Sequence, residues 1–185
     1  MSRTLIPANI RPHLVPFLFM EFPGIEASFR GKKVKAVKIS TRNSLGKIIR
    51  FLAEKSDHPQ GCDTTNSIFL SIKNQQREKE YFGKIYTYQD GRSNFLKLPE
   101  EGVMLVNDHL ESIFRSNMMS YLLGWEEKDG ELGLAKGIIK FVDRYNLLEF
   151  GFDPSSLRRN YYRWKKDEKR LSFFTNQASN RVHNY

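Results

Sequence analysis

The sequence predicts an α+β fold, and three features of the chain carry that expectation. Ser67–Lys73 alternates with a period of two, placing Ile68, Leu70 and Ile72 on one side and Phe69, Ser71 and Lys73 on the other, the pattern of a half-buried strand. Leu45, Ile48, Ile49 and Leu52 recur at i, i+3, i+4 and i+7, one apolar helical stripe. From Pro99 onward the apolar positions keep helical spacing. The expected architecture is a small antiparallel β-sheet meander with helices, followed by a C-terminal three-helix, helix-turn-helix-like portion. A chain of 185 residues that is 39% hydrophobic and 13% aromatic can build the core of one domain.

Residues 1–30 read as an extended arm, because Pro7, Pro12 and Pro16 fix φ at a spacing that opposes a regular helix. Its apolar residues offer a route to a homo-oligomer. Residues 31–98 read as strand, helix and meander. Gly31–Thr41 mixes Val34, Val37 and Ile39 with lysines, as a strand would, and Thr41 or Asn43 can cap a helix over Ser44–Lys55. Ser56–Asn66, with Pro59 and Gly61, is the expected long loop. Glu80–Tyr88 reads as a strand leading through the Asp90-Gly91 turn into Asn94–Leu98.

Residues 99–171 read as helical and packed on the same domain. Pro99, Glu100 and Glu101 suit a helix start, and Val103, Val106, Leu110, Ile113 and Tyr121 mark its core face to about Leu123. Gly124 and Asp129-Gly130 are the expected breaks before a second helix over Glu131–Tyr145. Asp153-Pro154 places a capping carboxylate ahead of a proline at the first helical position, the start of a last helix to about Leu171. Residues 172–185 form a polar tail, expected to be flexible.

Charge points to function. The net charge is +9, divided as +7 over residues 1–60 (11 Lys and Arg against 4 Asp and Glu), −3 over 61–150 (11 against 14) and +5 over 151–185 (8 against 3). Two basic ends around a slightly acidic middle favour an anionic partner, and nucleic acid first among these, with DNA preferred over RNA. The last helix is the expected reading head. Leu157, Tyr161 and Trp164 anchor it, while Arg158, Arg159, Tyr162, Arg163, Lys165, Lys166, Lys169 and Arg170 surround that stripe and suit a DNA groove. A second cluster, Lys32, Lys33, Lys35, Lys38, Arg42, Lys47 and Arg50, is the expected phosphate clamp.

Enzyme motifs are sparse. His13, His58, His109 and His183 stand far apart without a ligand pattern, and Cys62 has no partner that would make it a nucleophile. No P-loop, GxGxxG or GxSxG occurs. Glu126, Glu127, Asp129 and Glu131 crowd one helix break and read as a solvated acidic turn. The chain is thus expected to be non-catalytic and cofactor-free, with a nuclease as the residual enzymatic alternative. A single cysteine and no apolar run near membrane-spanning length lead to the expectation of a cytoplasmic protein with no membrane partner.

The expected function is regulatory, mobile-element or phage-associated binding of double-stranded DNA. One alternative is an assembly component that docks through the N-terminal arm and C-terminal tail. The other binds single strands on an aromatic sheet face formed by Phe69, Phe82, Tyr86 and Tyr88.

Overall fold

The computed structural model describes residues 3–56, 67–73, 79–81, 84–86 and 95–166. The elements in chain order are β1 (Arg3–Asn9), α1 (Leu14–Glu21), β2 (Gly24–Phe29), β3 (Lys32–Ile39), α2 (Ser44–Leu52), β4 (Glu54–Ser56) and β5 (Ser67–Lys73). They continue with β6 (Lys79–Tyr81), β7 (Lys84–Tyr86), β8 (Phe95–Lys97), α3 (Glu100–Arg144) and a 3-10 turn at Leu147–Phe150. A further helix, α4, spans residues 154–166. The α+β class and the helical C-terminal part are as the sequence predicts. The chain divides into two units, Met1–Phe114 and Arg115–Tyr185, at a point inside α3.

In the first unit a four-stranded sheet has the order β1-β5-β3-β2. It is mixed: β1 pairs antiparallel with β5 and β2 with β3, but β3 and β5 run parallel. The strand predicted at Ser67–Lys73 forms with those bounds, yet its neighbours are distant in sequence and it is not part of a meander. Glu80–Tyr88 is not one strand, since 79–81 pairs antiparallel with 84–86, and β8 pairs with β4. Asp90-Gly91 and most of Ser56–Asn66 lie outside the described residues.

The expected arm is a further correction. Residues 1–30 contain β1, α1 and β2, with Ile6, Leu14, Phe17 and Leu18 fully buried. Each proline sits where no backbone bond is lost. Pro7 lies on edge strand β1. Pro12 precedes α1, and Pro16 is its third residue, where the N–H has no partner within the helix.

One sheet face buries Ile6, Ala8, Val37, Ile39, Ile68, Leu70 and Ile72. Leu14, Phe17 and Leu18 of α1, Leu45 and Ile49 of α2, and Val106, Leu110 and Phe114 of α3 add to this unit's buried apolar set. The Phe17 and Phe114 rings meet edge to face at 5.4 Å. Buried Asn107 pins the β1–α1 connection to α3: it donates to the Asn9 and Val103 carbonyls at 2.9 Å and accepts from the Arg11 N–H at 2.8 Å. Such bonds are worth about 1 kcal/mol each, and more is lost when one partner is removed.

Helix α2 is capped by Asn43, whose Oδ1 accepts from the Gly46 N–H at 2.8 Å. It ends at Leu52, so Lys55 belongs to β4 and not to the helix. A Cβ on Gly46 would stand 1.9 Å from the Ser40 carbonyl oxygen, so only glycine lets residues 40–43 fold back over the first turn.

In the second unit α3 continues through Gly124 without a break and kinks at Asp129-Gly130. Gly130 has φ 60° and ψ −142°, a conformation open to glycine and hostile to other residues. Beyond the kink Leu134, Ile138, Phe141, Val142 and Tyr145 are buried as their spacing predicts. Helix α4 starts as Asp153-Pro154 predicts, with Asp153 Oδ1 accepting the Ser156 N–H at 2.6 Å.

Candidate nucleic-acid interface

Helix α4 is fixed by its apolar side. Leu157 and Tyr161 are buried, and Trp164 is half-buried with the Arg115 guanidinium 5.0 Å above its ring. The carboxylates at the α3 kink then meet one flank of α4. Glu126 accepts from the Tyr161 hydroxyl at 2.7 Å and pairs with Lys165. Glu131 accepts from the Tyr162 hydroxyl at 2.5 Å and pairs with Arg158. The acidic turn is therefore a clamp for α4. Among the described residues no group of three or more His, Cys, Asp or Glu could hold a metal ion.

These contacts shift the acids and bases involved. The Tyr162 hydroxyl, and after it Arg158, holds the Glu131 carboxyl below the usual carboxylate range. Reciprocally, Glu131 raises the Tyr162 phenol, and hydrogen bonding with Tyr162 and Glu131 raises the Arg158 guanidinium. Burial, followed by the bond to Glu126, raises the Tyr161 phenol well above its ordinary value.

The predicted reading head thus divides in two. Arg158, Tyr162 and Lys165 are engaged by the protein's own carboxylates. Arg159, Arg163 and Lys166, at i, i+4 and i+7, share the exposed face, with Arg163 donating to Asn160 at 2.8 Å. Lys169 and Arg170 lie outside the described residues.

The second predicted cluster is spread over β3, α2 and the loop between them. Lys35 stands opposite Glu26 across the β2–β3 pair, with its ammonium 4.6 Å from the centre of the Phe19 ring. Lys32 and Lys33 lie at the start of β3, opposite Phe29 and Ser28. Arg50 is half-buried on α2. Lys47 borders an apolar groove of about 640 Å³ that Ile48, Phe51, Leu52 and Leu105 line.

Lys38 and Arg42 of that cluster line one cleft, together with two residues that sequence reasoning missed. A cleft of about 740 Å³ is lined by Lys38, Arg42, Arg3 and Lys73, with Ser40, Thr41 and Asn43 between them. Arg3 donates through Nε to the Ser71 hydroxyl at 2.7 Å and through Nη2 to the Ser71 carbonyl at 2.5 Å. The position of Lys73 on the Phe69–Ser71 face of its strand was legible. Nothing local signalled that Arg3 would pair with it.

Of the aromatic residues expected to receive single strands, the two described ones belong to different sheets. Phe69 sits in the four-stranded sheet with its ring 4.9 Å from that of Phe29, whereas Tyr86 belongs to the separate β6–β7 hairpin. Phe82 and Tyr88 lie outside the described residues. No described helix is long and apolar enough to cross a membrane. Comparison of the chain with protein-family models, with curated proteins and with solved structures returns no match in any of the three.

Proposed function

We propose that the chain binds nucleic acid, duplex DNA ahead of RNA, through the outward face of α4. The observation that carries this reading is the exposed line Arg159, Arg163 and Lys166 on a helix whose other sides are anchored by Leu157, Tyr161, Glu126 and Glu131. Two guanidiniums and an ammonium on adjacent turns match the spacing of phosphates and base edges along a groove. The anchoring lowers the ordering cost of binding, because α4 is already held in place. No catalytic step belongs to this reading. The working compartment in this proposal is the cytoplasm, where a lone cysteine stays reduced.

The test is fluorescence anisotropy with labelled duplex DNA, single-stranded DNA and RNA across a salt series. The Arg159→Ala, Arg163→Ala, Lys166→Ala variant should lose duplex affinity while its circular dichroism stays that of the wild type. The slope of log affinity against log salt should fall by about 3, since each phosphate that is no longer neutralised removes about 0.9. Equal binding by variant and wild type would remove α4 as the interface. If no probe binds at moderate salt and self-association persists at high salt, the chain is an assembly component instead.

A further inference from the structure

The cleft at the end of the four-stranded sheet, in the first unit, has a different chemistry from α4. Arg3 and Lys73 lie directly opposite each other across β1 and β5, and Lys38 stands in register with Ser71 on the same sheet face. Arg42 joins them from the loop that follows β3. Among the described lining residues there are four cations and no carboxylate. Like charges placed opposite on neighbouring strands are destabilising, so this arrangement carries a cost that the fold leaves standing. Burial also pulls the Arg3 guanidinium below its ordinary value.

We propose that this cleft is a binding site for a phosphomonoester, either a free mononucleotide or the 5′-phosphate end of a nucleic-acid strand. A phosphate ester of this kind carries about −1.5 to −2 at pH 7 and three acceptor oxygens, which suits converging guanidinium and ammonium donors better than a singly charged carboxylate does. Ser40 and Thr41 add hydroxyl donors at the rim. The volume falls in the range of about 300–1,000 Å³ usual for small-molecule sites, and Phe22 and Pro23 supply an apolar wall for the body that bears the phosphate. The first turn of α2 is not the anchor, because Asn43 already takes the Gly46 N–H. The four side chains are.

The site does not depend on the α4 reading, and the experiment separates the two. Calorimetric titration of the full chain would use two matched pairs: thymidine monophosphate against thymidine, and a short oligothymidylate with a 5′-phosphate against the same strand with a 5′-hydroxyl. The phosphorylated member of at least one pair should bind about tenfold tighter or better, the scale of charge-assisted hydrogen bonds. Discrimination in the first pair alone assigns a free nucleotide, and in the second alone a strand end.

Lys38→Ala with Arg42→Ala, both exposed positions, should abolish the discrimination, and Lys38→Arg with Arg42→Lys should restore much of it. The α4 triple variant should leave the ratio within each pair unchanged even where overall strand affinity falls. No discrimination in either pair, or discrimination that survives Lys38→Ala with Arg42→Ala, overturns the proposal.

Discussion

The cleft of the first unit and helix α4 of the second are both rich in cations, but the protein treats those cations in opposite ways. Around α4, Glu126 and Glu131 neutralise Lys165 and Arg158 and use them to fix the helix, leaving Arg159, Arg163 and Lys166 outward. In the cleft no described lining residue is acidic, and Arg3, opposite Lys73 across β1 and β5, donates to the Ser71 hydroxyl and carbonyl. Density of Lys and Arg along a chain therefore does not give the local field. The field depends on where the counter-charges fall. In α4 the charges serve orientation as well as attraction, whereas the cleft keeps an electrostatic cost that a bound anion would offset.

The largest effect expected from this contrast follows from removing the counter-charges of α4. Glu126→Gln with Glu131→Gln frees Arg158 and Lys165 and adds two units of positive charge beside the exposed line. Duplex affinity near 0.1 M salt should rise on the order of tenfold, and the salt slope should steepen by about 2. Anisotropy across salt measures both. An unchanged slope would mean that the inner flank of α4 cannot reach phosphate even when it is free.

The two regions also differ in how far the sequence reveals them. Helix α4 is a local feature: Asp153-Pro154 announces its start, and the spacing of Leu157, Tyr161 and Trp164 identifies its anchored side. The break at Asp129-Gly130, the Asn43 cap and the bounds of β5 were legible for the same reason, since each depends on neighbours a few residues apart. The cleft depends on pairings far along the chain. Arg3 meets Lys73 only because β1 pairs with β5, and Lys38 meets Ser71 only because β3 and β5 run parallel. Three prolines hid the two elements in residues 3–21, since their positions on an edge strand and in a first turn are defined only once the sheet exists. The clamp was missed for a similar reason. Glu126 and Glu131 read as a solvated turn until α4 folds back to them.

A smaller effect tests the cost held in the cleft. Lys73→Glu turns the like-charged pair with Arg3 into an opposite one at an exposed position. Stability should rise by about 0.5–1 kcal/mol, the scale of cross-strand charge pairs, while phosphate discrimination disappears. Urea denaturation and the paired titrations read the two effects separately. Loss of discrimination with no gain in stability would show that Arg3 and Lys73 do not destabilise the fold.

The smallest effect is the response of the α4 clamp to acid. In the unfolded chain the Glu131 carboxyl titrates near its ordinary 4.5, and in the folded chain the Tyr162 hydroxyl, with Arg158 after it, holds it lower. The folded state therefore takes up this proton less readily. The stability gained is complete above the unfolded value and is lost as pH falls through the lowered folded one. Asp153 acts in the same direction, its carboxyl lowered by the Ser156 N–H and then by the Ser155 hydroxyl. Both carboxyls are exposed, so solvent screening keeps the effect modest. Urea melts between about pH 6 and pH 3 should show stability falling on acidification, with a shallower fall in Glu131→Gln. Tyr162→Phe should flatten the same limb more than Arg158→Ala does, because the phenol contributes first to holding Glu131 ionised. The reverse order would make the ion pair the stronger hold. Lys38→Ala with Arg42→Ala should leave the acid limb unchanged, because no described residue lining the cleft is a carboxylic acid.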